Sequence, residues 1–365
     1  MKTRVMVIDK SAVLGEQLQE AARILRDGGL VAFPTETVYG LGANALDEEA
    51  AKKIYAAKGR PSDNPLIAHI ADPSGLEPLV QEIPGAARKL MEAYWPGPLT
   101  MVFSKSSVVP YGTTGGLDTV AVRMPDDPVA RELIRLAGVP VAAPSANTSG
   151  RPSPTSAEHV YEDMNGRIDM ILDGGPVGIG VESTIVDVTG AVPILLRPGA
   201  VTMEMLEKTV GRVETDPAVI SPVKADLKPR APGMKYRHYA PKAELVLVED
   251  EEWERQPKAH MTAVSSRVTA AITRLALEKA VVGKKVGIIC TDETRQKYPD
   301  EGIWLRSLGT RGREETIAHN LFAVLREFDS LGVEAIYSES FSRDHLGQAI
   351  MNRLTKAAGY HIIKV

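Results

Sequence analysis

Residues 30–42 read LVAFPTETVYGLG, an apolar run followed directly by turn-forming residues. The apolar run at 30–33 is short and predicts a buried β-strand, which the turn-rich segment 34–42 ends. Just before it, Gly28-Gly29 stops a predicted helix. That helix is indicated by apolar residues at helical spacing, namely Leu14, Leu18, Ala21 and Leu25. A helix followed at once by a buried strand predicts an α/β fold.

The same pattern continues to about residue 210. Further apolar runs predict strands at 66–70, 99–103, 119–123, 139–144, 183–188 and 194–196. Helices are predicted near 86–94, 128–136 and 156–162, and Asp47 is suited to cap a helix that runs to about residue 56. Residues 1–210 therefore predict one mixed α/β domain with many strands.

A second domain is predicted after a basic, proline-rich linker at 211–242. Between Lys224 and Lys242 the linker has six basic residues and one acid, Asp226. Beyond it, apolar runs at 244–248, 285–290 and 333–339 alternate with predicted helices near 263–279, 313–330 and 344–358. Near-continuous apolar strands that alternate with helices are typical of parallel sheets, so residues 243–365 predict a small Rossmann-like domain.

The charge argues against a protein that works mainly by contacting nucleic-acid backbones. The 365 residues include 43 Lys and Arg and 47 Asp and Glu, a net charge of −4. Residues 1–220 hold 20 basic and 28 acidic residues, net −8, whereas residues 221–365 hold 23 and 19, net +4. Because nucleic-acid binders are usually basic, a polyanion site in the first domain would have to be a focused pocket.

The single cysteine, Cys290, excludes a disulfide framework and a zinc site built from several thiolates. No apolar run approaches the ~18–20 residues of a membrane span. The N-terminal MKTRVMVIDK is basic but lacks the apolar core and the cleavage site of a signal peptide. We therefore expect a cytoplasmic protein.

Two polar clusters are candidates for a ligand site. Lys58-Gly59-Arg60 opens a predicted proline-stiffened loop that could direct two cations at one phosphate chain, and a solvated surface turn is the alternative. Residues 143–153, APSANTSGRPS, follow the most apolar strand, where open sheets usually bind ligands, and a capped turn is the alternative. Spacing alone leaves both alternatives open.

Two further candidates lie in predicted strands. A guanidinium at a strand end, here Arg123, is typical of a carboxylate anchor. The alternative is a structural salt bridge with Asp126, Asp127 or Glu182. His69, inside the apolar strand LIAHI, is more often a satisfied core histidine than a ligand contact.

Familiar catalytic motifs are absent or incomplete. Residues 40–45, GLGANA, fit G-x-G-x-x-A, but the predicted helix begins only near Asp47 and no acidic residue follows at the expected place, so a glycine turn is favoured. The sequence contains no G-x-x-x-x-G-K-[ST], no G-x-S-x-G and no H-E-x-x-H. A P-loop, a serine-hydrolase elbow and a zinc-protease helix are therefore excluded.

Eight short motifs taken together resemble the YrdC-like domain, and they occur in that family's order. They are 34–42 (PTETVYGLG), 58–60 (KGR), 64–67 (NPLI), 95–100 (WPGPLT), 122–125 (VRMP), 144–147 (PSAN), 183–184 (ST) and 197–199 (RPG). Residues 231–241, APGMKYRHYAP, resemble the joint of the long, two-domain threonylcarbamoyl-AMP synthases. The resemblance covers essentially the whole chain and implies a YrdC-like mixed α/β catalytic domain followed by that family's C-terminal domain.

The resemblance implies a reaction and a set of site residues. L-threonine, bicarbonate or CO2, and ATP give threonylcarbamoyl-AMP and pyrophosphate, for threonylcarbamoyladenosine modification of tRNA next to the anticodon. The implied catalytic set is Lys58, Arg60, Ser145 and Asn147. The residues implied or expected to bind ATP are Lys58, Arg60, Asn64, Thr119, Ser145, Ser153, Arg197, Tyr236 and Arg237. Those implied for L-threonine are Thr35, His69, Arg123, Ala143 and Ser183.

The expected partners follow from the same resemblance. Mg²⁺ would accompany ATP, with unknown metal ligands, and downstream proteins would transfer the threonylcarbamoyl group to tRNA. The basic linker, with the ring-bearing run Tyr236 to Tyr239, predicts a lid that excludes water from the ATP site. We expect no membrane association and no strong direct binding of tRNA.

Two alternatives remain open. One is a non-catalytic module that binds tRNA or double-stranded RNA, which the net charge of −8 in the first 220 residues argues against. The other is a carbamoyl-transfer maturation enzyme, some of which contain a YrdC-like domain. Those enzymes carry cysteine-rich zinc modules, which a chain with one cysteine cannot form.

Overall fold

The computed structural model describes residues 2–10, 15–219, 229–232, 238–252 and 263–365. These residues form two compact units. The first unit takes in the described residues up to 149 and those from 153 to 232, and the second takes in 150–152 and those from 238 onward. The predicted linker at 211–242 stays a prediction, since residues 220–228 and 233–237 lie outside the described part of the chain.

The first unit is built on a mixed sheet of 11 strands. Its strands are β1 (Arg4–Val7), β2 (Val31–Phe33), β3 (Gly40–Asn44), β4 (Ile67–His69), β5 (Leu99–Ser104), β6 (Thr119–Arg123), β7 (Val141–Ala142), β8 (Met170–Asp173), β9 (Thr184–Asp187), β10 (Ile194–Arg197) and β11 (Glu214–Thr215). They lie in the order β1-β8-β2-β3-β7-β4-β6-β5-β9-β10-β11. The predicted mixed α/β fold is confirmed, although β1, β3, β8 and β11 were not predicted as strands.

Helices cover the sheet and position the loops of the unit. They are α1 (Gly15–Arg26), α2 (Glu48–Lys58), α3 (Gly85–Tyr94), α4 (Tyr111–Thr114), α5 (Pro128–Ala137), α6 (Ala157–Met164) and α7 (Met203–Val210). Asp47 caps α2 as predicted, because its carboxylate accepts hydrogen bonds from two backbone amides of the first turn. Gly59 ends α2 in the left-handed conformation, with φ 59°. Both ends of α2 are thus fixed, and with them its last residue, Lys58.

Apolar side chains fill both faces of the sheet. Alternate residues of a strand point to opposite faces, so Ala68 and Val122 lie in the large cluster on one face. Ile67 and Ala121 lie in a smaller cluster on the other face. His69 shares the second face because it is two residues from Ile67 on the same strand.

Strand β3 occupies residues for which the sequence predicted a turn. It pairs antiparallel with β2 on one side and β7 on the other. A Cβ atom on Gly42 would lie 2.8 Å from both Phe33 Cε1 and Val141 Cγ1. Glycine here makes room for neighbouring side chains, so the prediction of a turn over 40–42 was wrong.

The second unit has an all-parallel sheet, as predicted. Its strands are β12 (Glu244–Glu249), β13 (Val286–Cys290), β14 (Ile303–Ser307), β15 (Ala335–Glu339) and β16 (Ile362–Lys364), in the order β14-β13-β15-β12-β16. Every neighbouring pair is parallel. The helices are α8 (Ser266–Val281), α9 (Glu314–Leu331) and α10 (His345–Ala357). Nowhere in the described ranges does the chain have a helix that combines the length and apolarity needed to span a membrane.

Three residues from the middle of the chain belong to the second unit, namely Gly150–Pro152. Arg326 of α9 is 2% exposed and donates hydrogen bonds from Nε and Nη2 to the carbonyl oxygen of Pro152, at 3.1 and 2.7 Å. Asp329, one turn further along α9, pairs with Arg151 at 3.4 Å. Two buried side chains of α9 therefore hold this tripeptide.

Candidate active site

A row of buried polar side chains crosses neighbouring strands of the first unit. His69 of β4, Arg123 of β6 and Thr100 of β5 are register partners, so their side chains project from the same face of the sheet. Their exposed fractions are 2%, 4% and 0%. The register thus brings together His69 and Arg123, both predicted to contact threonine, and adds Thr100, which was not predicted.

Ser183 and Arg197 continue this row toward β9 and β10. The Ser183 Oγ lies 2.8 Å from the Thr100 Oγ1. Arg197 donates to Ser183 twice, from Nη2 to Oγ at 3.1 Å and from Nε to the carbonyl oxygen at 3.0 Å. A β-bulge between Leu195 and Arg197 sets Arg197 opposite Ile185. Because a bulge re-aims the side chains of its strand, it accounts for the direction of Arg197 toward this row.

The turn between β2 and β3 places polar side chains against Arg123. Arg123 donates from Nη1 to the Thr37 Oγ1 at 3.0 Å and from Nε to the Gly97 carbonyl oxygen at 3.2 Å. Glu36 Oε1 lies 2.6 Å from Arg123 Nη2. The Thr35 hydroxyl orders the turn, since its Oγ1 lies 2.9 Å from that of Thr37. The predicted threonine-binding residues Thr35 and Arg123 are therefore joined through Thr37.

Arg123 does form a salt bridge, but with Glu36 and not with the carboxylates that the sequence suggested. Asp127 caps α5 and pairs with Lys10 at 2.8 Å. Glu182 accepts a hydrogen bond from the Ser153 hydroxyl. Among the described residues, the carboxylate that pairs with Arg123 is that of Glu36 in the β2–β3 turn, so the alternative partners Asp126, Asp127 and Glu182 were wrong.

His69 is neutral in this row. Burial lowers the pKa of His69 to about 3, and the nearby Arg123 guanidinium acts in the same direction. Its Nδ1 lies 3.0 Å from the Ile67 carbonyl oxygen, and its ring meets that of Phe33 edge to face with centroids 6.4 Å apart. The imidazole can therefore contact a ligand without adding charge to the site.

The sequence suggested that Lys58 lies on an exposed loop. In the structure it is the last residue of α2. It is 1% exposed, and its Nζ donates to the carbonyl oxygens of Ser145, at 2.5 Å, and Asn147. The Ser149 amide donates in turn to the Lys58 carbonyl oxygen at 2.9 Å. Three members of the predicted catalytic set, Lys58, Ser145 and Asn147, are therefore in direct contact.

The segment that contains Ser145 runs beside the start of β3. The Leu41 amide donates to the Pro144 carbonyl oxygen, and the Ala146 amide to that of Tyr39, both at 2.8 Å. The Ser145 hydroxyl lies 2.5 Å from the Asn147 Oδ1. The backbone also passes close to β3 at Ala143, whose Cβ would be 3.2 Å from a Cβ built on Gly40. The predicted catalytic segment thus lies against the β2–β3 turn that carries Thr35.

Arg60 and Asn64 lie on the loop after α2. Arg60 donates to the carbonyl oxygens of Asn64, at 3.3 Å, and Pro65, at 3.0 Å. Asn64 is 1% exposed, and its Oδ1 accepts no hydrogen bond from any described residue. Buried acceptors without a donor are uncommon, so this oxygen is suited to accept a hydrogen bond from a ligand.

The remaining predicted ATP contacts are more scattered. Thr119 begins β6, on the same face as Arg123 but four residues away along the strand. Ser153 is 1% exposed and bonded to Glu182. Tyr236 and Arg237 lie outside the described residues.

A described part of the linker, residues 229–232, packs on the first unit. Ala231 is fully buried in the cluster on the sheet face that carries Arg123. The Pro232 carbonyl oxygen lies 3.5 Å from the Arg197 Nη1. The chain thus passes over the row of polar side chains just before residues 233–237.

The arrangement concentrates buried cations among hydroxyl groups. Arg123, Arg197 and Lys58 are each at most 6% exposed. Within the ranges that the structure describes, no three His, Cys, Asp or Glu side chains are grouped so as to hold a metal ion. Such a site can bind anionic groups, orient them and offset developing negative charge.

Comparison with known proteins identifies the class to which this fold and site belong. Residues 23–199 match the family model described as telomere recombination, which gathers the YrdC-like proteins. Residues 201–359 match the model described as threonylcarbamoyl-AMP synthase, C-terminal domain. The fold and the site define a YrdC-like α/β protein that carries a second, parallel-sheet domain.

Full-length relatives narrow this class to one family. The chain is 51% identical over 349 residues to a threonylcarbamoyl-AMP synthase of Pyrococcus abyssi, covering 96% of both chains. It is 47% identical over 368 residues to that of Bacillus subtilis, covering all of both. A crystal structure of P. abyssi Sua5 complexed with L-threonine matches all of both chains, with 48% identity and a TM-score of 0.90. The chain belongs to the threonylcarbamoyl-AMP synthase family, in its long, two-domain form. The resemblance noted in the sequence is confirmed, and a non-catalytic RNA-binding module is not favoured.

Proposed function

We propose that the protein makes threonylcarbamoyl-AMP and pyrophosphate from L-threonine, ATP and bicarbonate or CO2. Relatives covering the full length are named for this activity. The observation in this chain that carries the proposal is the buried Arg123 guanidinium. Thr37 and Gly97 fix two of its nitrogens, while Nη2 donates no hydrogen bond to a described residue. An amino-acid carboxylate is the ligand that such a group accepts.

We assign L-threonine to the region bounded by the β2–β3 turn and the polar row. Arg123 would bind the carboxylate and so direct the amine, and the neutral His69 beside it would contact the ligand without repelling its ammonium group. Thr35, Ser183 and the backbone at Ala143 would complete the pocket. Support comes from the connection of Thr35 to Arg123 through Thr37 and from the relative crystallised with L-threonine.

We assign ATP to the adjoining region around α2 and segment 145–153. The unpartnered Asn64 Oδ1 supports this assignment, because an amino group on the nucleotide base would satisfy it. Arg60 and Lys58 would supply positive charge, and Arg197 would act where the two substrates meet. The other residues assigned to ATP are Thr119, Ser145, Ser153, Tyr236 and Arg237.

The chemistry needs positioning more than a protein nucleophile. The threonine amine captures CO2 and becomes a carbamate, whose oxygen attacks the α-phosphorus of ATP while pyrophosphate leaves. In-line orientation of the two substrates and offsetting of phosphate charge are the main contributions to rate in such transfers. The contact of Lys58 with the backbone at Ser145 and Asn147 would keep the nucleotide segment in place during the step.

Mg²⁺ is proposed to accompany ATP. When bound, it would help neutralise the phosphates. Since no group of three metal-ligating side chains occurs among the described residues, the ion would take most of its ligands from phosphate oxygens and water, as Mg²⁺ commonly does. No catalytic step is assigned to it.

The linker is proposed to close over the nucleotide. The burial of Ala231 and the approach of Pro232 to Arg197 support this, because they bring the chain to the site just before Tyr236 and Arg237. Exclusion of water would protect a labile mixed anhydride until it is handed on. We propose the cytoplasm as the location, and proteins that transfer the threonylcarbamoyl group to tRNA as the downstream partners.

Pyrophosphate release from the purified full chain tests the proposal. We expect release to need ATP, L-threonine and bicarbonate together. Arg123→Ala should nearly abolish it, whereas Arg135→Ala, which removes an exposed arginine paired with Glu132, should not. Equal release with ATP alone would contradict the proposed synthase.

A further inference from the structure

Glu36 and Arg123 form a buried ion pair in which three polar atoms have no hydrogen bond to a described residue. Glu36 Oε1 lies 2.6 Å from Arg123 Nη2, but the two groups are not aligned as a hydrogen bond. Neither Glu36 oxygen accepts a hydrogen bond from a described residue, and Nη2 donates none to one. All three atoms are buried. Buried charged groups usually have aligned hydrogen bonds, since desolvation is otherwise uncompensated.

A second buried ion pair, Arg311 with Glu339, differs at the carboxylate, although the Arg311 Nε has no hydrogen-bond partner among the described residues. Glu339, fully buried in the second unit, accepts a hydrogen bond at each carboxylate oxygen. Arg311 donates to Oε2 at 2.6 Å and Tyr298 to Oε1 at 2.8 Å. Glu36 also pairs with an arginine, Arg123, but neither of its carboxylate oxygens accepts a hydrogen bond from a described residue.

We propose that Glu36 binds the α-ammonium group of the amino-acid substrate while Arg123 Nη2 binds its α-carboxylate. This inference rests on the proposed function, and it adds the residue that would recognise the amine. The ammonium nitrogen and the carboxylate carbon of an α-amino acid are both bonded to the same Cα, so the two charges lie close together. The ammonium group of a zwitterion can therefore donate to Glu36 while its carboxylate accepts from Arg123 Nη2, which supplies the hydrogen bonds that both groups lack.

The surroundings of Glu36 favour an ammonium group over a second anion. The neighbouring Thr37 hydroxyl already accepts from Arg123, and His69 is neutral. A ligand with a carboxylate but no amine would bring a second negative charge beside Glu36 without an ammonium group to offset it, so Glu36 would select α-amino acids over the same acids lacking the amine.

Calorimetric titration of the full chain with three ligands tests the proposal. They are L-threonine, (R)-3-hydroxybutanoate, which lacks only the α-amine, and L-threoninamide, which lacks the carboxylate. The variants are Glu36→Gln and, as a matched control, Glu132→Gln, which removes a half-buried carboxylate paired with Arg135 on α5, outside the candidate site. We expect Glu36→Gln to weaken L-threonine and L-threoninamide at least about tenfold. The affinity for (R)-3-hydroxybutanoate should stay the same or increase, and Glu132→Gln should change none of the three.

The outcomes separate this inference from the proposed function. If the wild-type chain binds no L-threonine, the proposed substrate is wrong. If the wild-type chain binds L-threonine and Glu36→Gln binds it equally well, or loses affinity for all three ligands alike, the role of Glu36 is wrong. Should Glu36→Gln fail to fold, Glu36→Asp keeps the charge but withdraws it by one methylene. It should then weaken L-threonine selectively, and an equal loss for (R)-3-hydroxybutanoate would overturn the proposal.

Discussion

Lys58 Nζ lies 2.5 Å from the carbonyl oxygen of Ser145, so the lysine that ends α2 binds the backbone of the candidate site. The sequence suggested a cation on an exposed loop. The structure shows a buried ammonium group that also bonds to Asn147. Lys58 therefore has a structural task in addition to any contact with phosphate, and its loss should be visible in stability as well as in turnover.

Lys58→Ala is expected to lower the free energy of unfolding by about 2–3 kcal/mol, because two carbonyl groups lose a charged donor. Turnover should fall as well, since segment 145–147 is no longer held. Lys52→Ala is the matched control on the same helix, since Lys52 is exposed and pairs with the nearby Glu48 and Glu49; it should change stability by less than about 0.5 kcal/mol. Urea unfolding measures both. A Lys58→Ala protein of wild-type stability would show that these bonds do not stabilise the fold.

Arg123→Lys is expected to weaken L-threonine binding by well over tenfold, although the positive charge is kept. Lysine lacks the planar fork that reaches Thr37, Gly97 and a carboxylate at the same time. Titration of L-threonine into the folded variant provides the measurement. Unchanged affinity would mean that Arg123 pairs with Glu36 but does not bind the carboxylate of L-threonine.

Thr100→Val should impair the site without unfolding the chain. The substitution preserves shape but removes the hydroxyl 2.8 Å from Ser183, which in turn bonds to Arg197. We expect kcat/KM for ATP to fall about three- to tenfold, in line with one lost hydrogen bond. Thr100→Ser, which keeps the hydroxyl, is the control and should stay close to wild type. Equal losses in the two variants would assign the effect to packing.

Acid should destabilise the chain partly through His69. An unfolded histidine has a pKa near 6.5, whereas His69 in the fold has a pKa of about 3. Between these values the unfolded chain binds a proton that the folded chain does not, so stability falls as the pH drops. The contribution from His69 is about 2 kcal/mol between pH 7.5 and pH 5. His69→Gln should show a correspondingly smaller loss in urea unfolding at these two pH values, and equal losses would contradict the shifted pKa.

Limited proteolysis between Lys228 and Arg237 tests closure of the linker. The described residues 229–232 already lie against the first unit, where Arg230 pairs with Asp187. Cleavage in this range should slow when ATP and L-threonine are added together. Cleavage at one rate with and without ligands would mean that the linker does not close over the site.

Periodicity predicted the long elements of both units because their apolar faces repeat over several turns or residues. The short strand β3 was missed because its glycines, which make room for Phe33 and Val141, look like turn residues in a sequence. Glu36 and Thr100 were missed for another reason. Both lie inside quoted motifs, but the motifs do not show which side chains meet, and it is the β2–β3 turn and the register of β5 with β6 that bring these two to Arg123.

Gly150–Pro152 bears on how the gene can be divided. This tripeptide is encoded in the middle of the first unit, yet it is held in the second unit by Arg326 and Asp329. A gene cut within the linker would therefore separate the tripeptide from Arg326 and Asp329, the two side chains that bind it. Removing the C-terminal domain therefore also removes the packing partners of three residues that lie within the sequence of the first domain.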